Sequence, residues 1–183
     1  MISFPKRYAD FVAKLRVPSG FLLAAVFGWF SVPTPRSMAW GFPVSLAGLI
    51  LRGWAAGCLA KNQQLATGGP YAYLRNPLYV GTLLVAAGLA IASRSTGLAL
   101  LFAAVFFLVY LPVIELEEQH LRHLFPEYAR YAEQVPALVP RLRPVPQKNP
   151  NPFRFSRYLT NQEFQAGVGF AAGMLFLVWK MVR

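Results

Sequence analysis

The chain has 183 residues, of which 56% are hydrophobic and 14% charged, and its mean hydropathy is +0.41. A soluble domain carries roughly 25% charged residues, so this composition excludes both an ordinary cytosolic globule and a disordered chain. Eighteen Lys and Arg stand against seven Asp and Glu, a formal +11, with one Cys and two His. That rules out a disulfide framework and makes a zinc site implausible, and it leaves a membrane protein as the first expectation.

A bilayer-spanning helix needs about 20 mostly apolar residues. Residues 17–35 qualify through their uncharged FLLAAVFGWF core, and 37–60 are interrupted only by Arg52. Residues 76–93 and 95–114 are uncharged, and 164–182 form a shorter fifth candidate. Five such stretches cannot all be hidden inside so small a globule. The predicted fold is therefore all-α, a polytopic integral membrane helix bundle of about five transmembrane helices, with residues 1–183 as one membrane domain.

The links alternate in length. Pro33 and Pro35 mark a tight turn between the first two spans, and 94–97 a second one; the long links, 61–75 and 115–163, fall on the opposite face. With the N-terminus inside, that face holds thirteen Lys and Arg against four outside, which fits the positive-inside tendency and puts the polar chemistry on the cytosolic side. SVPTPRSMAW offers no small-x-small cleavage site, so the first span reads as an uncleaved anchor. Six prolines between Pro136 and Pro152, with Arg141, Arg143 and Lys148 among them, predict an extended segment. Lying on an anionic leaflet, such a segment gains about 1 kcal/mol per basic side chain. The bilayer is the expected partner of the surplus charge; nucleic acid is not. No repeat is present, and nothing in the sequence fixes an oligomeric state.

Five of the seven acids, Glu115, Glu117, Glu118, Glu127 and Glu133, follow the fourth span. Carboxylates at a bilayer edge are costly unless solvated or paired, so they point to a site. Glu117 and Glu118 lie about 100° apart on a helix, so one of them faces the bundle while the other faces water. The bland alternative is a solvated helix end whose acids pair with Arg122. Glu117-x-x-His120 resembles half of a di-iron helix motif, but no second copy exists. His120 and His123 read as interfacial, Cys58 as packing, and no metal is expected. The other dense region is KNQQLATGGPYAYLRNPLYVG. Gly68-Gly69-Pro70 signals a turn, and Tyr71, Tyr73 and Tyr79 surround Arg75-Asn76-Pro77 in irregular backbone at the mouth of the third span. Such backbone is tolerated at membrane depth where it lines a cavity; the alternative is an interfacial tyrosine belt with a snorkelling Arg75.

Together, GGPYAYLRNPLYVG and the downstream EEQHLRHLFPEYARYAEQVP resemble the isoprenylcysteine carboxyl methyltransferase family and its phospholipid methyltransferase relatives. The family's G-x-Y-x-x-x-R-H-P-x-Y-x-G stretch reads here Gly69, Tyr71, Arg75, Pro77, Tyr79 and Gly81. Its E-E-x-x-L-x-x-x-F pattern, two tyrosines and Val-Pro read Glu117, Glu118, Leu121, Phe125, Tyr128, Tyr131, Val135 and Pro136. The match runs from about 51 to 140. It implies an integral membrane enzyme using S-adenosylmethionine, with a cytosolic cofactor pocket built from segments 61–75 and 115–140. Carried over by position, the cofactor contacts are Gln63, Gln64, Leu65, Ala66, Tyr71, Asn76, Pro77, Leu78, Tyr79 and Glu117, and the catalytic residues Glu117 and Arg75.

The chain departs from the family pattern in three places. Asn76 stands where the family has His. Pro112, Val113 and Ile114 stand where the prenylcysteine enzymes carry a substrate Arg. The spacing from Phe125 to Tyr128 is one residue short. On this resemblance Glu117 accepts hydrogen bonds from the cofactor, Tyr71 and Tyr79 pack against it, and Arg75 holds either the loop or a carboxylate. A carboxylate acceptor needs no base, whereas an amine needs one from Glu118 or His120. A lipophilic acceptor enters sideways between spans, and Arg52 snorkels or contacts it. Two other classes stay open, an NADPH-dependent membrane reductase of related fold and a non-catalytic membrane interaction protein.

Overall fold

The structure is a computed structural model that describes residues 6–146 and 150–183, so Lys148 lies outside the described residues. Its long helices are α1 (Lys6–Phe30), α2 (Pro35–Cys58), α3 (Pro77–Ser93) and α7 (Phe164–Val182), together with α4 over Thr96–Leu124. Short helices α5 (Tyr128–Gln134) and α6 (Phe155–Thr160) and a 3-10 turn at Gly69–Ala72 complete the regular structure. All regular structure among the described residues is helical. Each of the five apolar stretches is a helix.

Two of these helices, α4 and α7, are long and apolar enough to cross a bilayer. Only 28% and 11% of their most apolar 18-residue windows is buried, so neither is the core helix of a soluble fold. Trp29, Phe21, Leu175 and Leu100 are all more than 65% exposed. Large apolar side chains facing outward in number fit a membrane protein.

The boundaries follow local chemistry. Thr34 caps α2: its hydroxyl accepts from Ser37 N–H at 3.2 Å, and the Ser37 hydroxyl accepts from Thr34 N–H at 3.0 Å. Pro35 occupies the first helical turn, where its missing N–H is not needed. The 94–97 link is tighter than the sequence predicts, because Ser95 already caps α4 by accepting from Leu98 N–H. At the other end of α2 the last carbonyls have no partner within the helix. They are met from outside: Asn161 Nδ2 donates to Ala56 O and Leu59 O, and Arg154 N–H to Gly57 O. The ammonium of Lys180 caps α1 in the same way, donating to Gly28 O and Trp29 O at 2.8 and 2.9 Å.

The tightest contact is a seam between α2 and α3. A Cβ on Gly48 would stand 2.6 Å from Gly81 O, and one on Gly88 would stand 2.5 Å from Gly41 O. The Ser45 hydroxyl, on the same face of α2, donates to Val85 O at 3.0 Å, and that of Ser37 to Ala92 O at 2.8 Å. Small residues let the two backbones approach, and the hydroxyls fix their register. The other helices surround this pair more loosely. Α Gly88→Leu variant is expected to lose stability at the upper end of the roughly 1–3 kcal/mol range of overpacking. Gly97→Ala, where the nearest atom to an added Cβ is 3.8 Å away, should change little. Thermal melts of the detergent-solubilised variants check the contrast.

Candidate functional site

The tyrosine-rich bend and the acidic end of α4 meet through a buried ion pair. Arg75 Nε and Nη2 donate to the two carboxylate oxygens of Glu118 at 3.0 and 3.2 Å, with side chains 8% and 2% exposed. Arg75 Nη1 donates to Ala132 O and Val135 O, and Asn76 Nδ2 to Glu118 Oε1 at 2.9 Å. The proline-rich segment then runs alongside the bend. Arg75 N–H donates to Pro136 O, Asn76 N–H to Ala137 O, Arg141 N–H to Tyr73 O and Val145 N–H to Ala72 O. Tyr131 OH donates to Tyr71 O at 2.7 Å.

Glycine fits the bend to its neighbours. Gly69 has φ +57°, the left-handed region that side chains disfavour. A Cβ on Gly68 would stand 2.5 Å from the backbone of Asn151.

Two turns before Glu118 the geometry changes. Residues Phe106–Tyr110 form a π turn inside α4, and such turns shift the register of the residues that follow. The Tyr110 ring stacks on Phe106 and meets Tyr79 edge-on at 6.1 Å. Tyr79 OH donates to Glu117 Oε2 at 2.7 Å. Glu117 and Tyr79 thereby share the wall of a partly open cavity of about 600 Å³ lined by α2, the bend, α3, α4, α5 and the residues before α7.

Of the sequence-predicted contacts, Gln64, Leu65, Ala66, Tyr71, Leu78, Tyr79 and Glu117 line this cavity. Gln63, Asn76 and Pro77 do not. Asn76 is turned into Glu118, and Pro77 is fully buried in the first turn of α3. Arg75 reaches the wall, but its guanidinium is spent on Glu118 and two carbonyls, so of its two expected uses the structure favours holding the loop. Two bland alternatives fail. The acids do not pair with Arg122, whose guanidinium lies 5.6 Å over the Tyr128 ring. The tyrosines are not an interfacial belt, because Tyr71 and Tyr79 are 6% and 7% exposed. Glu118 is also no candidate base, being 1% exposed and committed to Arg75 and Asn76.

Arg52 neither snorkels nor stands alone. Its Nε and Nη2 donate to Glu163 Oε1 and Oε2 at 2.5 and 3.0 Å, while Nη1 donates to Leu78 O and the Thr82 hydroxyl. Arg52, Glu163 and Asn161 all line the cavity. The sequence reading missed Glu163, although a signal existed. A cation inside an apolar span requires a counter-ion, and outside the acidic cluster the chain offers only Asp10 and Glu163. Among the described residues no group of three or more His, Cys, Asp or Glu gathers to hold a metal.

Residues 44–128 match the family described as phospholipid methyltransferase, a stretch from α2 to the start of α5 that holds both halves of the ion pair and of the Tyr79–Glu117 contact. Over 146 residues the chain is 27% identical to protein-S-isoprenylcysteine O-methyltransferase of Schizosaccharomyces pombe, covering 76% of this chain and 61% of that protein. Over these stretches the chain is similar to phospholipid and isoprenylcysteine methyltransferases.

Over 82 residues it is also 44% identical to the cobalt-zinc-cadmium resistance protein CzcN of Cupriavidus metallidurans, which is 45% of this chain and 38% of that protein. The nickel-cobalt-cadmium resistance protein NccN of Alcaligenes xylosoxydans xylosoxydans shares 42% over a stretch with the same coverage. The chain thus spans only 38% to 61% of the lengths of these relatives. No solved structure matches it significantly. Within the methyltransferase-related segment the Arg of the bend and the second Glu are the locked pair, which leaves the first Glu facing the cavity.

Removing one partner of a buried pair costs about 3–5 kcal/mol, because the other charge is left behind. Glu118→Ala should accordingly unfold the protein at markedly lower temperature, while Glu117→Gln, on an exposed cavity wall, should melt close to the parent. A second expectation concerns pH. Burial pushes the Tyr71 and Tyr131 phenols well above their ordinary value of 10.0, aided by the Glu117 charge at Tyr71 and by Tyr128 at Tyr131. They stay protonated in the folded chain while unfolded phenols ionise, so stability should fall from about pH 10 upward. Circular dichroism melts across that range, with Tyr131→Phe showing a shallower decline, test the sign.

Proposed function

We propose that this chain is an integral membrane methyltransferase that moves a methyl group from S-adenosylmethionine to a lipophilic or amphiphilic acceptor. The observation that carries the reading is the Tyr79–Glu117 contact on the wall of a partly open cavity lined by both polar and apolar side chains. Its volume of about 600 Å³ falls within the 300–1,000 Å³ of small-molecule sites. Glu118 pairs with Arg75 and Glu163 with Arg52, Lys61 also stands on the wall, and Glu117 accepts from a neutral phenol rather than from a cation, which leaves its carboxylate available to a ligand.

When bound, the donor supplies a methyl group activated by a sulfonium. Every other requirement falls on the protein. Glu117 accepts hydrogen bonds from amino or hydroxyl groups and balances positive charge. Tyr79, fixed by Glu117 and by the Tyr110 ring, and Tyr71 would supply aromatic surface to the donor from the cavity wall. Positioning the acceptor within about 3–3.5 Å of the reacting carbon, away from water, supplies most of the acceleration that in-line transfer needs.

The acceptor's apolar part has a place as well. An apolar cavity of about 300 Å³ lies among α1, α3, α4 and α7, and Thr82 lines both it and the polar cavity. A head group in the one and a hydrocarbon tail in the other describe an amphiphile that arrives from within the bilayer. For a carboxylate acceptor no base is required. For an amine, His120 on the cavity wall takes the proton, since Glu118 is committed. We read all five long helices as spans and the polar cavity as cytosolic, on the distribution of Lys and Arg.

The test is binding first. Isothermal calorimetry in detergent should show S-adenosylhomocysteine binding that falls at least tenfold in Glu117→Gln, consistent with the roughly 1.5–3 kcal/mol of a charged hydrogen bond. Undiminished affinity removes Glu117 from the site. Incubating the protein with labelled S-adenosylmethionine and a lipid extract should then yield a methylated lipid. A response to NADPH alone would make the protein a reductase, and binding of neither would make it non-catalytic.

A further inference from the structure

Beyond the two cavities just described, a separate open groove of about 600 Å³ runs between α3 and α4 towards the end of α3 remote from the Tyr79–Glu117 contact. Five alanines line it, Ala86, Ala87 and Ala90 from α3 and Ala99 and Ala103 from α4. Small residues on facing helices normally draw the backbones together, as the glycines of the α2–α3 seam do. Here they do not. Α trough is left along two apolar helices, and in a bilayer the material that fills such a space is hydrocarbon.

Arg94, Ser95 and Thr96 close the far end of the trough. Arg94 is exposed, and among the described residues no carboxylate lies within ion-pair distance of it. Its backbone is left-handed, with φ 55°, at a helix end where Gly or Asn is usual. From Leu83 to Arg94 the groove follows eleven residues of helix, about 16 Å at 1.5 Å per residue. An apolar trough that ends at an unpaired cation is complementary to a molecule with one anionic end and one hydrocarbon chain, since a guanidinium pairs with a phosphate through charge-assisted hydrogen bonds.

We propose that the α3–α4 groove binds an anionic phospholipid, its phosphate at Arg94 and one acyl chain laid along the alanines. The inference is independent of the methyltransferase reading. The groove adjoins the apolar cavity through Leu83, Ala86 and Phe102, which line both, so the end of the acyl chain would approach the proposed acceptor site.

Native mass spectrometry of the purified protein, given equal amounts of phosphatidylglycerol and phosphatidylcholine with identical chains, tests it. The parent protein should retain phosphatidylglycerol at least tenfold over phosphatidylcholine. Arg94→Asn, which keeps a residue tolerant of the left-handed conformation, should abolish that preference. Ala90→Phe, which fills the trough, should reduce retention of both lipids, and Ala99→Leu on the facing helix serves if that variant fails to fold. Equal retention of the two lipids by the parent protein overturns the proposal. So does an undiminished preference in Arg94→Asn, or undiminished retention in a folded filling variant.

Discussion

The site depends on one buried ion pair. Arg75 and Glu118 are 43 residues apart in sequence, and two hydrogen bonds between their side chains tie the bend to the polar end of α4. Removing two charges from water is costly unless nearly every donor and lone pair finds a partner. Here they do: the guanidinium also reaches Ala132 O and Val135 O, and the carboxylate also takes Asn76. Asn76 belongs to the same network. Its amide donates one hydrogen bond to Glu118 and one to Ala137 O, and it lines no cavity.

The adjacent glutamates divide their work because of helix geometry. About 100° of rotation separates them, enough to bury Glu118 against Arg75 while Glu117 faces open space beside Tyr79. The π turn contributes to this placement. By adding a residue to the turn at Phe106–Tyr110 it brings Tyr110 against Tyr79, and the Tyr8 hydroxyl meets the carbonyl of Leu108 within that turn at 2.8 Å.

What was legible in the sequence was the convergence of two motifs and the helical state of each long apolar run, because apolar runs and turn residues are local signals; the bounds of the first helix were not, since it runs over Lys6–Phe30 rather than 17–35. The division of labour within the motifs was not. Gln63, Asn76 and Pro77 sit in the same short stretch as true wall residues, and only the path of the backbone decides which of them turn inward. The partner of Arg52 was equally hidden: 111 residues separate it from Glu163, and no local pattern marks the pair. Charge balance alone could have suggested it. The π turn leaves no trace in an apolar run whose every residue suits a regular helix.

The glycine seam has a mechanical consequence. Where backbones touch, nothing flexible stands between them to yield, so α2 and α3 behave as a single stiff slab. Arg52 and Tyr79 ride on that slab and keep their separation. Any doorway that admits a bulky molecule from the lipid must therefore be hung on the opposite jamb, by displacement of α1, α4 or α7 against a frame that does not move.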